Sequence, residues 1–347
     1  MNALRWTNIW KIGFGLAILF SLPACRPTIA TPSPTPTEKT FGLSQDSIKT
    51  LNSLEKVDDY PLYVMHFVGG YDSPVTANLP DNTTFACSLF AALGNEDNLL
   101  YGRNFDWAYA PALLLYTDPP DGYASVSMVN LTYFNFAPDT YQDLIKMAIP
   151  ERESLLNTPF FPLDGMNEYG LSIGIAAVYE SVASYDSSKP TIGSLVIVRE
   201  VLDHARTVDE AVAIFSQYNI DFTGGPPVHY LIADTDDQAV LIEFIAGQMV
   251  VLPNEHAWHL ATNHLIGNGI RGNGGSGWRY DIVEEKLVSR DGILTPEDAM
   301  KLLKDVSQMN NATQWSIVYN FTTGNINVVL GRKYENVHAF QLELVTR

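Results

Sequence analysis

The sequence predicts an α+β protein whose strands and helices come in separate blocks and pack as layers. The apolar patterns run as strands, two helices, more strands, two helices and a final hairpin, without the strand–helix alternation of a parallel α/β sheet. No internal repeat with the period of a solenoid is apparent. At 347 residues, with 46% hydrophobic residues, the chain is long enough for a large folded core.

The first predicted elements precede residue 87. Apolar residues at helical spacing over 44–56 predict a helix, and the run 61–68 predicts a strand that Gly69-Gly70 ends. We therefore expect the stretch 44–86 to contribute one helix and one strand that pack on the rest of the chain.

A β-hairpin follows, with strands over Cys87–Leu93 and Leu99–Trp107 around a polar turn. Thr295, followed by proline, predicts the cap of a helix. The remaining predicted elements are strands over 123–133, 171–179, 229–235, 239–252 and 258–263, two helices within 191–219, a helix over 278–289, and a C-terminal hairpin over 314–346.

Charge and composition exclude several classes of function. The net charge of −18 argues against nucleic-acid binding and against a polybasic attachment to anionic lipid, because both need a lysine- and arginine-rich surface. No cluster of ligands with the usual metal-site spacing occurs, and we expect neither a metal nor an organic cofactor.

Residues 1–25 resemble a bacterial lipoprotein signal. A positively charged start precedes the apolar run 12–20, which is too short to span a bilayer. The run ends in Leu22-Pro23-Ala24-Cys25, which resembles a lipobox and predicts lipidation of Cys25; the alternative is ordinary cleavage near Ala24, which leaves Cys25 free. The Pro- and Thr-rich stretch 26–43 predicts an extended tether. We expect an exported cell-envelope lipoprotein at the periplasmic or extracellular face of a membrane.

Cys87 is the candidate nucleophile. A cysteine needs a base or a nearby cation to form thiolate, and a free α-amine with a pKa near ~7.7–8.0 is a usable base at neutral pH. If the chain is cut between Ala86 and Cys87, the thiol and its base lie on one residue. None of the seven histidines lies in a pattern that demands a catalytic role. The alternative for Cys87 is a small buried core residue.

Three polar residues are placed to assist Cys87. Arg103 and Asp106 lie on the next strand, and because residues three apart point to opposite faces, we expect a bend at Gly102 and Asn104 to bring both to the cysteine. Arg103 would then stabilise the thiolate and Asp106 would accept from the amine; the alternative is a surface ion pair. Asn263 ends a strand, where its amide would donate to an oxyanion, or would serve a turn.

A glycine-rich stretch, 267–272, has the letters of a dinucleotide fingerprint. More loop is expected after it instead of a helix start, so the pattern does not predict a nucleotide site. A mobile loop near the site is the expected role.

Five motifs, in order, resemble the choloylglycine hydrolase and acid amidase family of N-terminal-nucleophile hydrolases. They are Cys87-Ser88, Gly102-Arg103-Asn104-Phe105-Asp106, Gly165-Met166-Asn167-Glu168-Tyr169-Gly170-Leu171, Ala261-Thr262-Asn263 and Ser276-Gly277-Trp278-Arg279-Tyr280. The resemblance implies a four-layer αββα sandwich over 87–347, and residues 54–70 resemble the segment before the nucleophile in the acid amidase branch.

Site roles follow from this resemblance. Cys87 would be nucleophile and base, Arg103 and Asp106 would tune and orient it, Asn263 would donate to the oxyanion, and Arg279 would hold the site together. Ala177 and Trp107 are the expected substrate-binding positions. The bile-salt branch has an asparagine where this chain has Ala177, which disfavours bile salts and favours an apolar acyl group. We expect the apolar run 110–116 to be a loop lining an acyl pocket, although core packing explains it nearly as well.

The resulting hypothesis is a self-processed cysteine amidase that hydrolyses the linear, non-peptide amide bond of an N-acyl substrate through an acyl-thioester. We expect the substrate to be a fatty or other apolar acyl amide. Acyl transfer to an amine, hydrolysis of bile salts or penicillin V, and an inactive lipid-anchored binding protein are the alternatives. The resemblance is compatible with a homo-oligomer.

Overall fold

A nine-stranded and a six-stranded β-sheet face each other, and helices cover the outer surface of each. The computed structural model describes residues 42–71, 86–136, 143–269, 275–309 and 312–345. The predicted signal, the tether up to residue 41 and Cys25 lie outside these described residues. Within the described ranges, no helix has the length and apolar character needed to cross a membrane.

The described strands are, in chain order, β1 (Glu55–Asp58), β2 (Leu62–His66), β3 (Ala86–Ala92), β4 (Leu100–Asp106), β5 (Ala112–Thr117), β6 (Ser125–Asn130), β7 (Asp164–Asn167), β8 (Ser172–Ala177), β9 (Thr191–Gly193), β10 (Asn219–Asp221), β11 (Val228–Ala233), β12 (Ala239–Ile245), β13 (Gln248–Pro253), β14 (Trp258–Ala261), β15 (Thr313–Asn320), β16 (Asn325–Leu330) and β17 (His338–Gln341).

The described α-helices are α1 (Gln45–Asn52), α2 (Val196–His204), α3 (Val208–Phe215), α4 (Gly275–Arg290) and α5 (Pro296–Asp305). Three 3₁₀ segments span Leu131–Phe134, Leu144–Lys146 and Ile149–Phe160.

The order of strands brings together distant parts of the chain. The nine-stranded sheet runs β1-β2-β5-β6-β7-β8-β11-β12-β13, and the six-stranded sheet runs β14-β3-β4-β15-β16-β17. Helices α2 and α3 pack on the first sheet through β7, β8 and β11, whereas α4 and α5 pack on the second through β3, β14, β4 and β15. The predicted αββα four-layer sandwich is thereby confirmed.

The two sheets approach closely at Gly174 of β8. A Cβ atom at this position would lie 2.8 Å from Tyr101 Oη and 2.9 Å from Leu89 Cδ2, so the facing sheet leaves room only for glycine. The Tyr101 hydroxyl donates to the carbonyl of Leu231 at 2.9 Å, which joins β4 to β11 across the interior. This close approach fixes the distance between the layers near the start of β3.

A buried ion pair also joins the sheets. Arg103 on β4 bonds the carboxylate of Asp164 on β7, and both side chains are fully buried. Asp164 accepts a second bond from the Tyr319 hydroxyl at 2.5 Å. Because an unpaired charge in the interior costs several kcal/mol, each member of the pair requires the other.

A second apolar core lies between the six-stranded sheet and its helices. Its strand residues include Phe90, Leu100 and Val318, which pack with residues of α4 and α5. The predicted cap of α5 is confirmed, because Thr295 accepts from Asp298 N at 3.0 Å. This core holds α4, and with it Arg279, against β3.

The segment before Cys87 is part of the sandwich. Strand β2 pairs in parallel with β5, in the register Leu62 opposite Ala112, and β1 pairs with β2 at the edge of the nine-stranded sheet. Helix α1 begins after Ser44, whose hydroxyl accepts from Ser47 N at 3.0 Å. Helix α1 and strand β2 lie where the sequence predicted one helix and one strand before the cysteine, and strand β1 was not predicted.

The structure corrects three further expectations. The run 110–116 is not a loop: β5 lies between β2 and β6, and the side chains of Leu113, Leu114 and Leu115 are fully buried. The predicted strand 239–252 is a hairpin, because Ala246 and Gly247 adopt positive φ angles of 51° and 78° that turn the chain. Helix α4 already includes Gly275, three residues before its predicted start at about 278.

We expect that Asp164→Ala will lower the free energy of unfolding by about 3–5 kcal/mol, because it leaves the Arg103 charge buried without a partner. Replacing the pair together, with Arg103→Met and Asp164→Leu, should recover most of this loss. Urea denaturation of the purified chains measures both. The control is Asp46→Asn, which removes an exposed ion pair with Lys49 and should cost less than about 1 kcal/mol. A loss equally small for Asp164→Ala would contradict the inter-sheet role.

Candidate active site

Cys87 is the second residue of β3, at the end of the strand where the described chain resumes after the undescribed residues 72–85. It pairs with Phe105 of β4 and is 2% exposed. Its thiol faces the space between the two sheets, where Arg103 Nη2 lies 3.7 Å from Sγ. The Cys87 sulfur is therefore buried, while its main chain lies next to the first residue of β3.

Arg103 is fixed on several sides. It is fully buried, bonds Asp164, donates to the carbonyl of Ile175 at 3.2 Å and lies 5.1 Å from the centre of the Phe105 ring. Burial works against its charge, but the Asp164 carboxylate raises the pKa of Arg103. The guanidinium is therefore a permanent cation beside the thiol.

Asp106 reaches the site from the other face of β4. Its carboxylate accepts from Thr313 Oγ1 at 2.5 Å and from Gln308 Nε2 at 3.0 Å, on the side of the helices. Strands β3 and β4 stay in regular register from Ala86 opposite Asp106 to Ala92 opposite Leu100.

The predicted bend in β4 is therefore wrong. Arg103 and Asp106 lie on opposite faces, as the two-residue period requires. Both still reach the region of Cys87 because this residue lies at the strand end.

Asn263 and Arg279 enclose the main chain of Cys87. Asn263 Oδ1 accepts from Cys87 N at 2.6 Å and from Arg279 Nη2 at 2.8 Å. Arg279 also donates to the Cys87 carbonyl and, at 3.0 Å, to Ser88 Oγ, and its Nη1 lies 4.0 Å from Asp106 Oδ2. One buried network thus connects all five predicted catalytic residues.

The amide nitrogen of Asn263 has a partner that the sequence did not suggest. Asn263 Nδ2 donates to the carbonyl of Ala177 at 2.9 Å. An oxyanion would have to compete with this carbonyl for the same N–H groups. The oxyanion role of Asn263 stays a prediction.

A cavity opens beside the sulfur. Its empty space, including the part that is open to solvent, is about 370 Å³. Its walls come from the 3₁₀ segment at Tyr133, from both sheets, from the start of α2 and from the turn before β11. The lining residues are Cys87, Arg103, Phe105, Tyr133, Leu163, Ile175, Ala177, Ser194, Leu195, Gly225, Pro226 and Val228. Most of them are apolar, so the surroundings of the Cys87 sulfur are suited to an apolar group and not to a polar one.

The two predicted substrate positions differ in placement. Ala177 lines the cavity, whereas Trp107 does not. Trp107 is 4% exposed and stacks on Phe105, with ring centres 6.1 Å apart. Its role in substrate binding stays a prediction.

Several residues of the site were missed by sequence reasoning. Asp164 was not predicted, although an acidic residue directly after an apolar stretch is a usable signal. Tyr133, Gln308 and Thr313 carry no local signal, because their contacts join segments far apart in the chain.

Burial dominates the ionisation of the site in the uncut chain. It raises the pKa of the Cys87 thiol above its ordinary value, although Arg103 acts in the opposite direction. It likewise raises the pKa of the Asp106 carboxyl, against the effects of Arg279, Thr313 and Gln308. Both groups thus hold their protons to higher pH than in water.

Metal-ligating side chains and histidines in the described residues give no sign of a second reactive centre beside Cys87. Across the described ranges, no group of three or more His, Cys, Asp or Glu side chains is placed to hold a metal ion. His264 Nδ1 bonds Ser276 Oγ at 2.8 Å, and His259 Nε2 bonds the carbonyl of Leu252 at 3.0 Å. These two histidines have structural partners.

The comparisons with known proteins cover the part of the chain that contains Cys87 and Asn263. Residues 87–264, just over half of the chain, match the family of linear amide C–N hydrolases, choloylglycine hydrolase family. The matched region begins at Cys87 and ends one residue after Asn263. No curated protein sequence matches the chain significantly.

Two solved structures have a similar fold. A substituted form of the conjugated bile acid hydrolase from Clostridium perfringens shares 16% sequence identity, with a TM-score of 0.50 over 74% of this chain and 92% of its own. Penicillin V acylase from Agrobacterium tumefaciens shares 16% identity, with a TM-score of 0.50 over 74% of this chain and 86% of its own. Both are N-terminal-nucleophile hydrolases, and the likeness confirms that fold. With the family match, it follows that this chain belongs to the choloylglycine hydrolase family and is a hydrolase of linear amide C–N bonds.

Proposed function

We propose that the chain is a self-processed cysteine amidase that releases an apolar acyl group from an N-acyl amide. The observation that carries this proposal is the position of the Cys87 sulfur in the wall of an apolar cavity, 3.7 Å from a buried guanidinium. A hydrocarbon chain fits such walls, whereas a polar acyl group would lose its water there without replacement.

The first step is self-cleavage. The Cys87 thiol attacks the carbonyl carbon of Ala86, the acyl group moves from nitrogen to sulfur, and water hydrolyses the thioester. This frees the Cys87 α-amine where its N–H now donates to Asn263 Oδ1. Asn263 would hold the new amine, and Arg279 would hold Asn263.

Acylation of the mature site follows. The α-amine takes the thiol proton, and the thiolate, stabilised by Arg103, attacks the substrate carbonyl carbon. As the C–N bond breaks, the ammonium returns its proton to the leaving amine. In the tetrahedral intermediate, N–H donors near Asn263 and Ala177 would stabilise the oxyanion.

Deacylation restores the enzyme. A water molecule gives a proton to the α-amine and attacks the thioester carbon. The C–S bond breaks, the free acid leaves and the proton returns to sulfur. Asp106 orients the amine throughout these steps. The predicted lipid anchor at Cys25 would hold this reaction at a membrane surface.

The wild-type chain should separate into two polypeptides, the second beginning at Cys87, and Cys87→Ala should stay uncut and inactive. Intact mass and amide turnover by the purified full chain measure both. A Cys87→Ala chain that is cut and turns over substrate would contradict the mechanism. A single uncut wild-type chain that forms no acyl-enzyme at any pH would favour the inactive binding protein. Transfer of the acyl group to an added amine, in place of hydrolysis, would favour the acyltransferase.

Alkylation of Cys87 in the uncut chain should keep accelerating as the pH rises past 9.0, the ordinary pKa of a thiol, because burial raises the pKa of this group. Iodoacetamide labelling at a series of pH values, read by intact mass, separates cut from uncut molecules. A rate that already levels off near pH 8 would show that Arg103 outweighs burial.

Val228→Phe should shift the preferred acyl chain to shorter lengths, because the larger side chain occupies part of the cavity. We expect kcat/KM for a long-chain N-acyl-7-amino-4-methylcoumarin to fall at least about tenfold, with a smaller change for the acetyl compound. Each methylene group that an apolar pocket accepts or rejects is worth about 1–3 kcal/mol. The matched control is Val288→Phe on the exposed side of α4. An unchanged length profile would exclude this cavity as the acyl site.

A further inference from the structure

A buried histidine–glutamate pair lies beside the loop that carries Asn263. His229 is on β11 and Glu243 is on the neighbouring strand β12. Both side chains are 0% exposed, and His229 Nδ1 lies 3.1 Å from Glu243 Oε1. The reaction proposed above uses neither residue.

Glu243 directs both of its carboxylate oxygens to the main chain after β14. Oε1 accepts from Ile266 N at 2.9 Å, and Oε2 accepts from Gly267 N at 2.8 Å. Hydrogen bonds to an ionised acceptor are about twice as strong as neutral ones. These two bonds join the edge region of the nine-stranded sheet to a loop that leaves the six-stranded sheet.

The loop also fits closely against the carboxylate. A Cβ atom on Gly267 would lie 3.1 Å from Glu243 Oε2 and 2.9 Å from Ile245 Cδ1. Glycine therefore lets the main chain approach the glutamate. The contact between the loop and β12 therefore depends on both partners, the buried carboxylate of Glu243 and the missing side chain of Gly267.

Asn263 lies between the Glu243 contact and a second contact, which the chain makes with Ser276. Its main-chain N–H donates to Ser276 Oγ at 3.0 Å, and the Thr262 hydroxyl lies 2.8 Å from the same oxygen. Ser276 is in the first turn of α4. The short segment around Asn263 is thus held by α4 at one end and by Glu243 at the other.

We propose that Glu243 is a positioning residue for Asn263. It fixes the main chain three and four residues after the asparagine, so that Oδ1 meets Cys87 N and Nδ2 meets the wall of the cavity. This inference rests on the proposed function, in which Asn263 acts on the α-amine and on the oxyanion. His229, on the neighbouring strand β11, holds the Glu243 carboxylate in place through its contact with Oε1.

The test is Glu243→Gln in the full chain. The amide keeps the size of the side chain, but one of its two ends is an N–H donor that cannot accept from Gly267 N. A shift of Asn263 of about 1 Å is enough to cost about a hundredfold in rate. We expect kcat for the acyl-coumarin substrate to fall at least about tenfold while KM changes less than about threefold. Self-cleavage, followed by intact mass, should slow in parallel.

The decisive readout is a double-mutant cycle with Asn263→Ala. If Glu243 acts through Asn263, the double variant is no slower than Asn263→Ala alone. Losses that multiply would overturn the inference, as would a Glu243→Gln enzyme with the wild-type kcat. A wild-type rate for Asn263→Ala would instead refute the proposed role of Asn263, and a wild-type rate for Cys87→Ala would refute the proposed function as a whole.

A matched control is Glu210→Gln. Glu210 also accepts a main-chain bond, from Arg206 N at 2.7 Å, but it lies on α3 and does not contact the loop. Its kcat should stay within twofold of wild type. If Glu243→Gln does not fold, Gly267→Ala disturbs the same contact from the loop side. The double-mutant cycle with Asn263→Ala is then measured with Gly267→Ala in place of Glu243→Gln.

Discussion

The buried charge of Arg103 is the constraint on which the site depends. A guanidinium in the interior must be paired, and its partner, Asp164, comes from the facing sheet. The two sheets can therefore pack only in a relative position that sets β7 opposite β4. The same position brings the Ile175 carbonyl to the guanidinium and the cavity wall to the Cys87 sulfur. The cation beside Cys87 and the alignment of the two sheets thus depend on the same ion pair.

The features that the sequence predicts well depend on neighbouring residues. The hairpin of β3 and β4 follows from two apolar runs around a polar turn, and the start of α5 follows from Thr295 and the proline after it. The identity of the cysteine, the two arginines, the aspartate and the asparagine followed from motifs. The motifs also predicted that these residues lie together, without any knowledge of the order of strands in the sheets.

The features that the sequence did not predict depend on distant partners. An apolar run such as 110–116 reads equally well as a pocket loop or a strand, and only its pairing with β2 and β6 decides between them. The positions of Arg103 and Asp106 also needed the structure. Alternation puts them on opposite faces, and β4 pairs with β3 in regular register without the predicted bend. Asn263 is likewise bound to a carbonyl that lies 86 residues earlier in the chain.

The pairing of β2 with β5 has a consequence for the polypeptide that the proposed cleavage would release. Strand β5 carries three consecutive leucines and is covered on one side only by residues that precede Cys87. If that polypeptide were lost, β5 would become a bare sheet edge of unpaired N–H and C=O groups, which is a template for intermolecular pairing. If the proposed cleavage occurs, the first polypeptide must therefore stay bound to keep the enzyme soluble, and its loss would cause aggregation.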